Sequence, residues 1–366
     1  MADFTSILKY GERAALLMQQ RYRASGYSRY RMGKFEEYDL YAANKDFLVS
    51  DNVITFTDSD GRLMALKPDV TLSIVRNYRE TDGTSKVYYS ENVYRRDRDT
   101  HSFREIMQVG LECIGQIDAY AQGEVVYLAC ESLALISENY VLNLSHMGLI
   151  RHVLEQSGAS VAVQRQLLTY ISEKNRHGVE AAARENRFDP SGVLTLIGTY
   201  GEPEHVLQVL RAQGEGWQAA ADELAAVCAQ LHGVGLEKHV HIDFSVINDM
   251  KYYNGIVFQG FVDGVPQGVL SGGRYDNLLS RMKKNAGAIG FAVYLDALQR
   301  LQQAPAQNDF DVLLLYRLQD DPVSVARCAQ QLRDAGKSVL AATQAPPHLT
   351  FGETVMTERG KGSGEE

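Results

Sequence analysis

Two long strand-like runs, KVYYSENVY at 86–94 and REIMQVGLECIG at 104–115, flank a charged loop that opens Arg95-Arg96-Asp97-Arg98-Asp99. So short a strand–loop–strand unit favours antiparallel pairing, because parallel neighbours need a long crossover. Two tight hairpins point the same way. Residues 53–57 and 63–66 flank Asp58-Ser59-Asp60-Gly61, and YYNGIVFQGF and PQGVLSG flank Val262-Asp263-Gly264-Val265. Aspartate and glycine supply the backbone conformations that such turns require. Strands separated by helices also suit a doubly wound parallel sheet. The hairpins decide for α+β.

The helices follow from spacing. Ile7, Leu8, Ala14, Leu17 and Met18 recur near the helical period, with Gly26 as the stop. Pro68-Asp69 opens a second helix that carries Val70, Ile74 and Tyr78 on one side. A long amphipathic helix is expected over 121–139. From 147 to 236 strand signals vanish and short helices are punctuated by Pro190, Gly201-Glu202-Pro203 and Gly214-Glu215-Gly216, which reads as a helical insertion. Strands resume at 239–246 and 288–295, with a helix at 296–303. Pro305 begins a linker to one strand–helix–strand unit at 306–345, and residues 346–366 form a tail expected to be disordered. At roughly 100–200 residues per domain, 366 residues make two domains, with room for a small third.

Composition narrows the functions. Thirty-seven basic residues against 46 acidic ones give a net charge of −9, which disfavours general nucleic-acid binding. Cys113, Cys130, Cys228 and Cys328 lie far apart, with no CxxC pair, and the nine histidines show no metal spacing. No metal or cofactor is expected. The N-terminus lacks the apolar core of a signal peptide, and no run of about 18 apolar residues occurs, so a cytoplasmic protein that does not meet the membrane is expected. A GxSxG elbow and a phosphate loop are both absent.

Four segments could carry chemistry. Arg95, Arg96, Arg98 and Arg104 present planar forks for phosphate or carboxylate, or else pair with Asp97, Asp99 and Glu105 in a solvated turn. Gln108, Gly110 and Glu112 alternate with Met107, Val109 and Leu111, so one strand face offers an amide and a carboxylate. Tyr252 and Tyr253 precede a strand, as ligand contacts or as core rings. Ser271-Gly272-Gly273-Arg274 brings backbone close to a ligand or merely turns the chain.

Taken together and in order, these segments resemble the catalytic core of class II histidyl-tRNA synthetases, an antiparallel sheet flanked by helices. ALKPDVT at 65–71 is similar to the family's substrate loop, and 86–115 to motif 2. MKYYNGIVF at 250–258 resembles the histidine-specific tyrosine segment, and SGGRYDNLL with AIGFAVYLDAL, at 271–279 and 288–298, resembles motif 3 and its approach. The resemblance spans residues 5–303 and makes 1–305 the core, with 306–345 too short for an anticodon-binding domain. It implies that Asp69, Thr71 and Gln108 hold the α-ammonium of histidine, while Glu112 and Tyr253 bracket its imidazole beside Tyr252. Arg95 and Arg104 would mark a vestigial anion site.

The departures matter as much. The arginine that a synthetase places before its tyrosine segment is here Asn248, followed by Asp249, and motif 3 ends Asp296-Ala297 instead of glutamate-arginine. Adenylation develops negative charge that fixed cations stabilise. A core with a histidine pocket but without those cations resembles the regulatory subunits of ATP phosphoribosyltransferase. That resemblance implies a noncatalytic chain which activates a short catalytic subunit in the first step of histidine biosynthesis, mediates histidine feedback, and pairs with itself through the first helix and GYSRYRMGKF at 26–35. A divergent synthetase, or a histidine-sensing module with another partner, remains the alternative at this point.

Overall fold

The computed structural model describes residues 8–44, 53–96, 102–301 and 308–357. The chain divides into two compact units, residues 1–302 and 303–366.

Helix α1 (Tyr10–Ala24) opens the first unit. The Lys9 amide donates to Glu12 Oε2 at 2.8 Å, satisfying a donor that the helix start leaves open. Arg21 and Arg23 sit in the last turn, where the helix dipole favours cations. A small antiparallel sheet comes next, ordered β2 (Phe35–Glu37), β4 (Leu63–Leu66), β3 (Thr55–Thr57), preceded by β1 (Ser28–Arg29) and interrupted by α2 (Tyr38–Ala42). The hairpin expected around Asp58 is β3–β4: Asp58 Oδ1 accepts from the amides of Asp60 and Arg62. Helix α3 (Thr71–Asn77) follows, with Asp69 Oδ1 accepting from the Leu72 amide at 2.8 Å.

Strands β5 (Ser85–Arg96) and β6 (Phe103–Gly115) pair antiparallel from Ser85 opposite Ile114 to Arg96 opposite Phe103. Helix α4 (Ala119–Ala134), capped by Asp118, leads to β7 (Tyr140–His146). The insertion contains α5 (Met147–Gln156), α6 (Val161–Ser172), α7 (Arg176–Asn186), α8 (Ser191–Gly198), α9 (Pro203–Arg211) and α10 (Glu215–Gly233), with β8 (Tyr200–Gly201) between α8 and α9. Strands β9 (Val240–Asp243), β10 (Ile256–Val262) and β11 (Leu270–Arg274), helix α11 (Asp276–Arg281) and β12 (Gly287–Tyr294) complete the core, and a 3₁₀ turn spans Leu295–Leu301.

The nine-stranded sheet runs β1-β5-β6-β12-β11-β10-β7-β9-β8, with β1–β5 and β7–β9 parallel and the other pairings antiparallel. Alternation along β6 gives it two purposes. Val109, Leu111 and Cys113 point into one apolar cluster with Met18 and Tyr22 of α1 and Val125 and Leu133 of α4. The Tyr22 hydroxyl meets the Ser132 hydroxyl at 2.6 Å, tying α1 to α4. Fully burying a side chain such as Met18 contributes about 1.5–3 kcal/mol. Against the other face pack Val70, Leu72, Val75, Tyr89 and Tyr275, and that face carries Gln108 and Glu112.

Three expectations need correction. The helix expected over 121–139 stops at Ala134, and the unassigned YVLNLSH is β7, an interior strand on which Tyr140, Leu142 and Leu144 are buried. The insertion is not free of strands, since Tyr200–Gly201 pairs with β9 at the sheet edge. Part of the segment 346–366 is ordered as β15 (Phe351–Met356).

In the second unit β13 (Phe310–Leu315) lies between β14 (Val339–Ala342) and β15, parallel to both. Helix α12 (Pro322–Asp334) connects β13 to β14, capped by Asp321 with Pro322 in its first turn. Phe351 stacks on Phe310 with ring centroids 6.1 Å apart, which explains how a strand with few apolar residues is held. Residues 358–366 lie outside the described residues, as do Arg98 and Asp99.

Candidate functional site

A cavity of about 320 Å³ opens over the face of β6 that carries Gln108 and Glu112, within the size range of small-molecule sites. Strand β6 brings Gln108 and Glu112 to it, the start of α3 brings Asp69 and Thr71, and β5 brings Tyr89 and Arg95. The segment before β10 adds Asn248, Tyr252 and Tyr253, and the far wall holds Ser271, Tyr275, Gly290, Ala292 and Tyr294. Eight of the nine candidates from the sequence therefore meet in one place. Arg104 does not. Its half-exposed guanidinium faces Asp296 at 3.5 Å, so the cation expected at a vestigial anion site has an anion beside it.

Glu112 is the centre of the site. Its side chain is buried, Thr71 Oγ1 donates to Oε1 at 2.8 Å, and Tyr275 donates to Oε2 at 2.6 Å. Burial pushes the carboxyl up to about 8, opposed by those two hydroxyls and assisted by the nearby Asp69. The carboxyl fits because Gly290 stands opposite it on β12: a Cβ there would overlap Oε2 and press on the Leu111 carbonyl. Asp69 is also raised, by burial first, while the Leu72 amide, Arg95 and the Thr71 amide pull the other way.

Tyr252 lies between Tyr253 and Tyr275, with ring centroids at 4.6 and 5.3 Å, and burial holds all three phenols well above their ordinary range. They are neutral hydrogen-bonding groups. Arg95 donates its Nε to the Pro68 carbonyl at 3.0 Å, fixing one end of the guanidinium to the loop that carries Asp69. Asn248 differs from the rest. Its Nδ2 is buried in the wall and has no hydrogen-bond partner among the described residues. An unpaired buried amide is costly, and a ligand carboxylate or carbonyl would satisfy it.

Sequence reasoning missed Tyr89, Tyr275 and Tyr294. Tyr275 lay within the quoted SGGRYDNLL, but only the strand register shows that its hydroxyl returns to Glu112.

The sequence model of the histidyl-tRNA synthetase family matches residues 9–298. An ATP phosphoribosyltransferase regulatory subunit from Oceanobacillus iheyensis is 31% identical over 337 residues, covering 88% of this chain and 82% of the relative. The chain belongs to the ATP phosphoribosyltransferase regulatory subunits. Among solved structures, the ATP phosphoribosyltransferase regulatory subunit/histidyl-tRNA synthetase from Bacillus halodurans shares the fold at a TM-score of 0.76 and 22% identity, covering 97% of this chain and 96% of that one. A chain of the ATP phosphoribosyl transferase (HisG:HisZ) complex from Thermotoga maritima aligns at a TM-score of 0.64 and 20% identity, over 80% of this chain and 98% of that one. Membership in this regulatory-subunit family accords with Asn248 and with Ala297, which is buried and uncharged.

Proposed function

We propose that this chain is a noncatalytic subunit that activates a short-form ATP phosphoribosyltransferase in the cytoplasm and confers feedback by histidine on the complex. The observation that carries the effector half of this reading is the unpaired Nδ2 of Asn248 in a cavity that already holds Glu112, Thr71 and five tyrosines. In this assignment Glu112 and Tyr253 address the two imidazole nitrogens, Asp69 and Gln108 take the α-ammonium, and Asn248 donates to the α-carboxylate. Thr71 and Tyr275 orient Glu112 through hydrogen bonds to its two oxygens. A neutral amide where adenylation needs a cation suits reversible binding and leaves Arg95 as the single arginine among the described residues that line the cavity.

An effector changes a partner's activity only by binding the conformations of the complex unequally. A site on the regulatory chain can do this without touching the phosphoribosyl chemistry. Self-association belongs to the same proposal, because Phe35 and Phe56 form an exposed edge-to-face pair in the small sheet.

The test mixes the purified chain with the short-form catalytic subunit from the same genome. Phosphoribosyl transfer is expected to rise on mixing and to fall again with added histidine. Glu112→Ala is expected to relieve the inhibition while the activation persists. No binding and no activation would overturn the subunit assignment. Inhibition unaltered in Glu112→Ala would place the feedback site on the partner.

A further inference from the structure

Along β12 the cavity floor runs small, small, large: Gly290, Ala292, Tyr294. These alternate residues share one face and stand opposite Glu112, Gly110 and Gln108 of β6. Opposite Ala292 the floor is covered by Tyr89, whose hydroxyl lies where a Cβ at Gly110 would stand, beside the Phe291 carbonyl. The floor ends at Tyr294. Four residues of strand separate it from Gly290, about 13 Å at the rise of a β-strand.

Two arginines mark this end of the floor, Arg95 inside the cavity and Arg104 outside it. Arg95 and Arg104 pair across β5 and β6, and Arg104 faces Asp296, two residues beyond Tyr294. The Tyr294 hydroxyl lies within electrostatic reach of Arg95, Asp69 and Asp296. One bulky side chain therefore closes the floor beside Arg95, the single arginine among the described residues that line the cavity, with the Arg104–Asp296 pair outside it. A ligand that extended along the floor past the amino-acid compartment would need the space of the ring.

We propose that Tyr294 is a partition which fits the cavity to a free amino acid and excludes ligands extended past the α-carboxylate, nucleotides and acyl-adenylates in particular. The proposal rests on the histidine assignment above. Its consequence is a sensor that follows the concentration of the free amino acid and ignores its activated forms, although the surrounding fold is that of an activating enzyme.

The experiment is calorimetry on the full chain with two probes, histidine and histidyl-sulfamoyl adenosine, a stable mimic of the adenylate. The wild-type chain is expected to bind the mimic at least about 100-fold more weakly than histidine, a steric exclusion built into the site. Tyr294→Ala is expected to bring the ratio of the two affinities within about tenfold, and Tyr294→Phe to preserve the exclusion, because the ring and not the hydroxyl obstructs. Wild-type binding of the mimic as tight as that of histidine overturns the partition and needs no variant to be folded. So does an undiminished exclusion in Tyr294→Ala. Failure of histidine itself to bind the wild-type chain overturns the assignment on which the partition rests.

Discussion

The phenol of Tyr275 donates to Oε2 of Glu112 at 2.6 Å across 163 positions of sequence. The contact joins the junction of β11 and α11 to the interior strand β6, and with Thr71 it leaves neither carboxyl oxygen of Glu112 without a partner. A carboxyl held in this way keeps one orientation, which is what recognition of a ring nitrogen requires.

Glu112→Ala is expected to weaken histidine binding roughly tenfold or more, because it removes a buried hydrogen-bonding partner and strands the Thr71 and Tyr275 hydroxyls, and a buried polar group left unsatisfied costs about 1–3 kcal/mol. Tyr253→Phe is expected to lose less, since it removes a neutral donor. Calorimetry with phenylalanine and lysine as controls checks both. Equal affinities for all three amino acids would show that the cavity does not read an imidazole.

The same carboxyl predicts a pH dependence of stability. Glu112 rises from an ordinary value of 4.5 to about 8 in the folded chain. Between those values the folded state keeps a proton that the unfolded state has released. Its contribution is therefore full below 4.5 and falls away as the pH climbs toward 8, by at most about 1.4 kcal/mol per pH unit. Glu112→Gln lacks this slope. Thermal melts of the ligand-free proteins are expected to diverge from about pH 5 to 8, the variant gaining on the wild type. Parallel curves would mean that Glu112 ionises normally in the fold.

Histidine-dependent exchange of pyrophosphate into ATP is expected to be absent. Asn248 supplies no charge, Ala297 is buried and Arg104 is already beside Asp296. Exchange at the rate of a working synthetase would contradict the regulatory assignment directly. Asn248→Arg with Ala297→Arg restores charge but leaves Tyr294 in place, so at most a trace is expected.

The exposed Phe35–Phe56 pair gives a prediction about assembly. The rings meet edge to face at 5.3 Å, with Phe35 55% exposed. Light scattering at micromolar concentration is expected to report a dimer, and Phe35→Asp with Phe56→Asp to shift it toward monomer. A wild-type monomer would remove this surface from consideration.

What the sequence disclosed, and what it hid, follows from how local each signal is. The β3–β4 hairpin was legible because Asp58 and Gly61 encode their own turn, and β5–β6 because two long alternating runs are joined by a few residues. Strand β7 was hidden between a helix whose end carries no glycine or proline and an insertion that begins at once. Strand β15 finds its partner β13 across a gap of 35 residues between Leu315 and Phe351, and no turn announces it. Within the site, residues that share a short motif were found together. Tyr275 and Tyr294 owe their places to register across β11, β12 and β6, and the chain near each of them says nothing about which strand will lie opposite.

Gly290 offers no functional group to the cavity, yet it governs whether the Glu112 carboxyl can sit there. Its missing methyl is the volume that the Glu112 carboxyl occupies. The two positions are sterically coupled: position 290 cannot be enlarged while the acid at 112 keeps this pose. As a test of the proposed histidine feedback, Gly290→Ala would displace the Glu112 carboxyl from behind, from a residue with no side chain of its own in the cavity.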